Sequence, residues 1–359
     1  MRNNHFRLRN HAIIIFLALE SLLLATHAYM SLSDDFLRNI SSSGPDFEPD
    51  NGALLSPILI PRVPGTPGHT SVQHHFVNYF STQLPKWNLQ WYNSTVSITK
   101  GVEVQISSLV FSREPPWTKT GQANFLTLAA HYDSKSMPAG HVGATNAVPC
   151  AILMHVAHSI DGYMTQMHDE MDALGEGGTI AMDMGIQLVF LDGSESLNGA
   201  ETSLYGSRDL SNTLERMINP VGSVYPNALS QIRIFALLDS LGSASPTVPS
   251  YCLVTSWVFQ RIASLEARMR NIGLLETAKA TEFLSEGSET NVSAGVVADY
   301  VPFMEAGTPF LNLQPSPLPS TEDTLNDSAS LDAPTVRDWV KIVTGFTLEW
   351  LDMMEVWPE

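Results

Sequence analysis

Basic residues are scarce in this chain. Nineteen Lys and Arg stand against 37 Asp and Glu in 359 residues, for a formal charge of −18. That balance excludes a surface built for the phosphate backbone of nucleic acid, which needs clustered cations. Cysteine is nearly absent, with only Cys150 and Cys252. Two cysteines exclude a disulfide-dense scaffold. A single bridge and two buried thiols both stay open, because sequence alone does not give their separation. Long apolar runs are missing too: past residue 28 none approaches the roughly 20 residues that a membrane helix requires. What is present is a 44% hydrophobic content, normal for a globular protein with a full core.

The first residues have the pattern of a secretory signal. Arg2, Arg7 and Arg9 precede a mostly apolar stretch over residues 12–25, interrupted by Glu20, and Thr26-His27-Ala28 offers a small-residue cleavage site. The expectation is a signal peptide at 1–28, a secreted product and no membrane attachment after cleavage. A short membrane anchor is the alternative, but the run is too short to span. Asn-x-Ser/Thr sequons at Asn39, Asn93, Asn291 and Asn326 agree with the secretory route.

Residues 29–56 are polar and turn-rich, as in Ser41-Ser42-Ser43-Gly44-Pro45, and predict a loose N-terminal arm. Val72, Phe76, Val77 and Phe80 recur at helical spacing. Apolar runs at 102–110, 125–130, 186–191, 232–238 and 310–313 predict strands. Pro149 is expected to open a helix carrying Ile152, Val156 and Ile160. The acidic, Gly-rich stretch 166–178, with Asp169-Glu170-Met171-Asp172, predicts a solvated insertion. Val258, Ile262, Leu265 and Met269 form a helical stripe. Pro334 starts a final amphipathic helix with Trp339 and Trp350 on its buried side. Strands alternating with helices predict one α/β domain over 57–359, with a central mixed, mostly parallel sheet flanked by helices.

Three of these strands end in groups that carry chemistry. Asp192-Gly193-Ser194-Glu195 follows 186–191, His131-Tyr132-Asp133-Ser134-Lys135 follows 125–130, and Asp239 follows 232–238. Parallel sheets place ligands and metals outside the carboxyl ends of their strands. Acids and a histidine gathered there suit a metal-assisted enzyme.

An ordered set of motifs then resembles a known family. The pieces are Arg62-Val63-Pro64-Gly65-Thr66-Pro67-Gly68, His131 to Lys135, Gly143-Ala144-Thr145, Ala147-Val148-Pro149-Cys150-Ala151, Asp192-Gly193, Ser203-Leu204-Tyr205-Gly206-Ser207-Arg208, Leu237-Leu238-Asp239, Val301-Pro302-Phe303 and Pro315-Ser316-Pro317. In this order they resemble secreted glutaminyl cyclases (glutaminyl-peptide cyclotransferases), most closely those of the fungal type. The resemblance implies a zinc-exopeptidase-like fold and an activity that converts an N-terminal Gln of a peptide to pyroglutamate with release of ammonia. It also implies one zinc, partners that are peptide or protein N-termini beginning with Gln, and a carboxylate that carries the proton from the amine to the leaving ammonia. A monomer is expected.

Residue by residue, the resemblance implies a changed centre. Asn146 stands where the family has an Asp zinc ligand, in a segment one residue shorter. Glu195 matches the second ligand. Asp323 replaces the ligand His, so three oxygen donors, one neutral, make a weak zinc set. Ser194 replaces the proton-shuttle Glu. Ala298 replaces the first Asp of the shuttle's network, while Asp239 of that network is kept. Glu322 replaces the pocket Trp, and Asn312 a His on the last inner strand.

Blander readings compete at each position. Glu195 and Asp239 could be ordinary loop acids, but their places in matched motifs favour the site. Asn146 and Asp323 are equally readable as weak ligands or as polar loop residues. His131 and Asp133 are expected to be structural, and His155, His158 and His168 to lie on a helix surface. The leading expectation is a cyclase-family protein with a degraded site. The rivals are an inactive pseudoenzyme that binds peptides or a protein partner, and a zinc exopeptidase using His131, Asp239 and Glu195.

Overall fold

The computed structural model describes residues 31–352, apart from 43, 99–100, 176, 178, 180–181, 196, 198–203, 279–281, 290–297 and 319–326. The expected signal peptide, the sequons at Asn291 and Asn326, and Glu322 and Asp323 lie outside the described residues. In chain order the main elements are α1 (Asp34–Arg38), α2 (Pro67–Gln83), β1 (Asn88–Ile98), β2 (Val102–Arg113), β3 (Asn124–His131), α3 (Ala144–Leu174), β4 (Met184–Leu191), α4 (Tyr205–Arg216), β5 (Ile232–Leu238), β6 (Val248–Ser250), α5 (Ser256–Asn271), β7 (Leu284–Glu289), α6 (Val301–Glu305), β8 (Phe310–Leu313) and α7 (Ala333–Trp350).

Six strands form one sheet in the order β1-β2-β4-β3-β5-β8. β1–β2 and β2–β4 are antiparallel, while β4–β3, β3–β5 and β5–β8 are parallel. Of the parallel strands, β4, β3 and β5 sit inside the sheet with both faces covered, and β8 forms its edge. All eight residues of β3 are buried, which explains its unbroken apolar run. Successive residues feed opposite layers. Leu126, Leu128, Ala130, Leu188, Phe190, Ala236 and Leu238 join the core that contains α3 and α7. Ala129, Val189, Leu191, Phe235, Leu237 and Phe310 join a second core with Leu210 of α4 and Phe303 of α6. A mixed sheet flanked by helices on both faces therefore meets the expected fold class. No helix of the described residues is long and apolar enough to cross a membrane.

Four local expectations need correction. From Leu32 onward the arm is packed rather than loose: Phe36, Leu37, Phe47, Leu54, Leu55 and Ile58 all join the main core. Phe36 sits 5.4 Å from the Tyr163 ring, and Phe47 meets His155 edge-on at 5.9 Å. The polar residues between these anchors hid them. Phe36→Ala is accordingly expected to lower unfolding free energy by about 3 kcal/mol, read by urea titration; a loss below about 1 kcal/mol would show the arm to be dispensable.

Helix α3 begins at Ala144, not Pro149, so that Pro149 lies in its second turn. Its missing N–H forgoes one bond, which burial on both sides outweighs. The same helix runs on through the supposed insertion to Leu174 and stops at Gly175, whose left-handed φ of 68° lets its N–H reach the Asp172 and Met171 carbonyls. His155 and His168 are thus 4% and 5% exposed instead of lying on the surface. Burial pushes both down to about 4. Both cysteines are free thiols.

Candidate active site

The parallel register brings the carboxyl ends of β3, β4, β5 and β8 to one edge, and the side chains there connect. His131 ends β3. Its Nδ1 lies 3.3 Å from Asp133 Oδ1, and its Nε2 3.7 Å from Asp239 Oδ1 beyond β5. Burial alone would lower the His131 pKa; the two carboxylates outweigh it and hold the value well above its ordinary one. Asp133 Oδ2 accepts the backbone N–H of Glu195 at 2.9 Å. That bond fixes the loop after β4 against the end of β3, so Asp133 has the structural role expected of it.

Glu195 faces the start of α3. Asn146 Nδ2 donates to Glu195 Oε1 at 3.4 Å. On the other side of the amide, the Ser240 hydroxyl lies 3.4 Å from Asn146 Oδ1 and 3.0 Å from Asp239 Oδ1. Gln314, just past β8, donates from Nε2 to Asp239 Oδ2 at 2.5 Å. Burial raises the Glu195 carboxyl to about 7. Burial also acts to raise Asp239, but His131, Ser240 and Gln314 outweigh it and keep Asp239 below the usual carboxylate range.

Ser194 is turned away from this group. Its Oγ donates to Asp299 Oδ2 at 2.5 Å, and both residues are buried. Asp299 Oδ1 makes no hydrogen bond of ordinary geometry, and burial raises its carboxyl to about 6 against the opposing pull of His131 and the Ser194 and Ser207 hydroxyls. Asn312 of β8 is 2% exposed, with neither amide atom paired. Leaving such groups unmet costs about 1–3 kcal/mol each, a cost found more often at ligand sites than in plain cores.

The first acid after β4 is not part of the cluster. Asp192 is fully buried, bonded to His69 Nε2 at 2.9 Å and to the Ser107 N–H at 2.7 Å. Of the residues named from sequence, Asn146, Glu195 and Asp239 are therefore brought together, Ser194 is adjacent with Asp299, and Asn312 lies on the strand that leads to Gln314. Sequence reasoning assigned no role to Ser240, Gln314 or Asp299. Asp299, an acid beside Val301-Pro302-Phe303, was the one with a readable signal.

The described donors do not fit zinc. Wherever Glu195 is ionised it can only accept, and the Asn146 atom facing it is then the N–H. A metal would need a lone pair at that place. Among the described residues no group of three or more His, Cys, Asp or Glu is placed to hold a metal ion.

Comparison with known proteins adds the following. Residues 116–347 match Peptidase family M28. The chain is 35% identical over 307 residues to a glutaminyl-peptide cyclotransferase-like protein of Bos taurus, covering 84% of this chain and 75% of that protein. It is 31% identical over 310 residues to the glutaminyl-peptide cyclotransferase of Bos taurus, covering 83% and 81%. In fold it is similar to the Macrostomum lignano glutaminyl cyclase, with a TM-score of 0.76 at 24% identity over 92% of this chain and 96% of that one. A leucine aminopeptidase precursor from Bacteroides thetaiotaomicron shares the fold at a TM-score of 0.61 and 15% identity, over 88% and 98%.

Proposed function

The chain belongs to the glutaminyl-peptide cyclotransferase family, on the scaffold of peptidase family M28, and from that premise we propose that it is a secreted member whose cyclising chemistry has been largely lost. Its substrate class is peptide N-termini beginning with Gln. Zinc is general to the family and fold, yet the Asn146 N–H faces one oxygen, Oε1, of the Glu195 carboxylate that a metal would need. The observation that carries the proposal is the Ser194–Asp299 contact. At the position where the resemblance puts a proton-shuttling carboxylate, this chain has a short hydroxyl committed to a buried acid. The carboxylate that would take a proton from the attacking amine is missing from this position, and the Asp299 oxygen beside it is occupied by the Ser194 hydroxyl.

This chain's own groups divide as follows. Asp239, held by His131, Ser240 and Gln314, is a fixed negative charge at the mouth of β5. It can orient an ammonium group but is a poor base, because those partners favour its ionised form. Asn312 is the further residue that the resemblance assigns to substrate, and its amide is buried and unpaired on β8. A site that holds a peptide N-terminus without turning it over supports the reading as a peptide-binding pseudoenzyme in preference to the exopeptidase. The exopeptidase would draft His131, whose two ring nitrogens both face carboxylates.

Loss of the shuttle by itself lowers turnover by roughly 10²–10⁴. The test is ammonia release from a Gln-initiated peptide by protein purified from the medium of a secretory host. The expected rate is at least about 10² below that of an intact family enzyme. A rate within tenfold of such an enzyme would overturn the proposal. The same preparation tests secretion, since a glycan is expected at Asn39 or Asn93, both exposed, and a start at Tyr29.

A further inference from the structure

The contacts at the strand ends close into a ring. Glu195 Oε1 accepts from Asn146 Nδ2. Asn146 Oδ1 and Asp239 Oδ1 share the Ser240 hydroxyl. Asp239 Oδ1 meets His131 Nε2, and His131 Nδ1 meets Asp133 Oδ1. Asp133 Oδ2 accepts the N–H of Glu195 and returns the circuit to its start. The ring joins the ends of β3, β4 and β5 to the first turn of α3. With the one Ser240 proton shared between Asp239 Oδ1 and Asn146 Oδ1, every link sets a donor or a cation against an acceptor, so this chain's own groups compensate the three carboxylates. At the link between Glu195 and Ser240 an ionised carboxylate would set two negative oxygens against each other, whereas an amide presents N–H to one neighbour and C=O to the other.

We infer that Asn146 is a built-in replacement for the metal: a positioning residue that closes this ring and makes the strand ends self-sufficient without zinc. The inference rests on the reading of the site as an altered cyclotransferase centre. It deepens that reading by assigning the altered ligand position a role of its own. A decayed ligand would leave a gap that zinc still fills weakly; a replacement leaves no need for it.

Melting of the whole chain, with either zinc or a chelator at mildly alkaline pH, separates the two. The wild type is expected to melt at the same temperature in both. Asn146→Asp, which turns the link into a carboxylate pair, should melt on the order of 5 °C lower in chelator and recover in zinc. The exchange Asn146→Asp with Glu195→Gln reverses the polarity of the link and keeps the bond. It should melt close to wild type in chelator and ignore zinc, and it also serves if Asn146→Asp alone does not fold. A wild type that loses stability in chelator and regains it in zinc would overturn the inference. So would an Asn146→Asp protein that melts like wild type in chelator, or an exchange variant no better than Asn146→Asp. High cyclising turnover by the chelated wild type would instead sink the proposed function and leave these melting results standing.

Discussion

Arg62→Met is expected to destabilise the protein by about 4 kcal/mol or more, close to the whole stability of many domains. Arg62 has no exposed surface. Its Nε donates to the Tyr132 carbonyl at 2.5 Å, Nη1 to those of Ile58, Ile60 and Val142 at 2.7, 3.1 and 2.5 Å, and Nη2 to that of Gly143 at 3.0 Å. One planar cation thus satisfies five carbonyls from three segments: the end of the N-terminal arm, the residue after His131 and the turn that starts α3. Met fills a similar volume and removes this donor from all five; the Ile58 and Gly143 carbonyls keep backbone N–H partners, so the desolvation cost falls on those of Ile60, Tyr132 and Val142. Arg62→Lys supplies three donors from a single nitrogen and should recover about half of the loss. Gly143 belongs to the same arrangement. Its φ of 62° and the 3.2 Å that a Cβ would leave to Arg62 Nη2 favour glycine there. Urea titration measures all of this. An Arg62→Met protein within about 1 kcal/mol of wild type would show that water replaces the guanidinium, and that the site does not hang from this residue.

The second large effect is a gain. Asn146→Asp with Asp323→His, Ser194→Glu and Ala298→Asp together should raise ammonia release from a Gln-initiated peptide by at least about 10² over wild type. Neither half should do so alone. The first two changes rebuild a metal-ligand set without a base for the amine, and the last two rebuild a base without the metal. Groups that act as a unit give strongly non-additive effects. The geometry adds a cost. Ser194 is 5% exposed, with its Oγ 2.5 Å from Asp299, so Ser194→Glu inserts one further methylene and a carboxylate against a buried acid. That variant alone should be less stable by about 1–3 kcal/mol, and the two acids would share a proton. Glu322→Trp is the further change that would close the pocket. A folded, zinc-loaded fourfold variant with no gain would move the blame to the backbone, to the shorter segment before Asn146.

The sequence by itself determined the layers and the place of the site. Apolar runs that end in His131, Asp192 and Asp239 could only be buried strands with their polar groups at one edge, because parallel strands covered on both faces have no solvated side to show. It also determined which side chains differ from the family pattern, since Asn146 and Ser194 are legible one letter at a time. The anchors Phe36, Leu37, Phe47, Leu54 and Leu55 follow no single period, so the arm reads as loose in sequence; only the main core gives them a common side. The length of α3 was misread because Pro149 and the acidic stretch near Asp169 are local signals, and packing along a buried helix overrides them. What those changed side chains do was decided by tertiary structure alone. Asn146 links Glu195 to Ser240, Gln314 holds Asp239, and Asp299 takes the Ser194 hydroxyl. Those partners lie 49, 94, 75 and 105 residues apart in the chain. A hydrogen bond depends on a few ångströms of separation and on which amide atom faces its neighbour, and only the folded sheet sets either one.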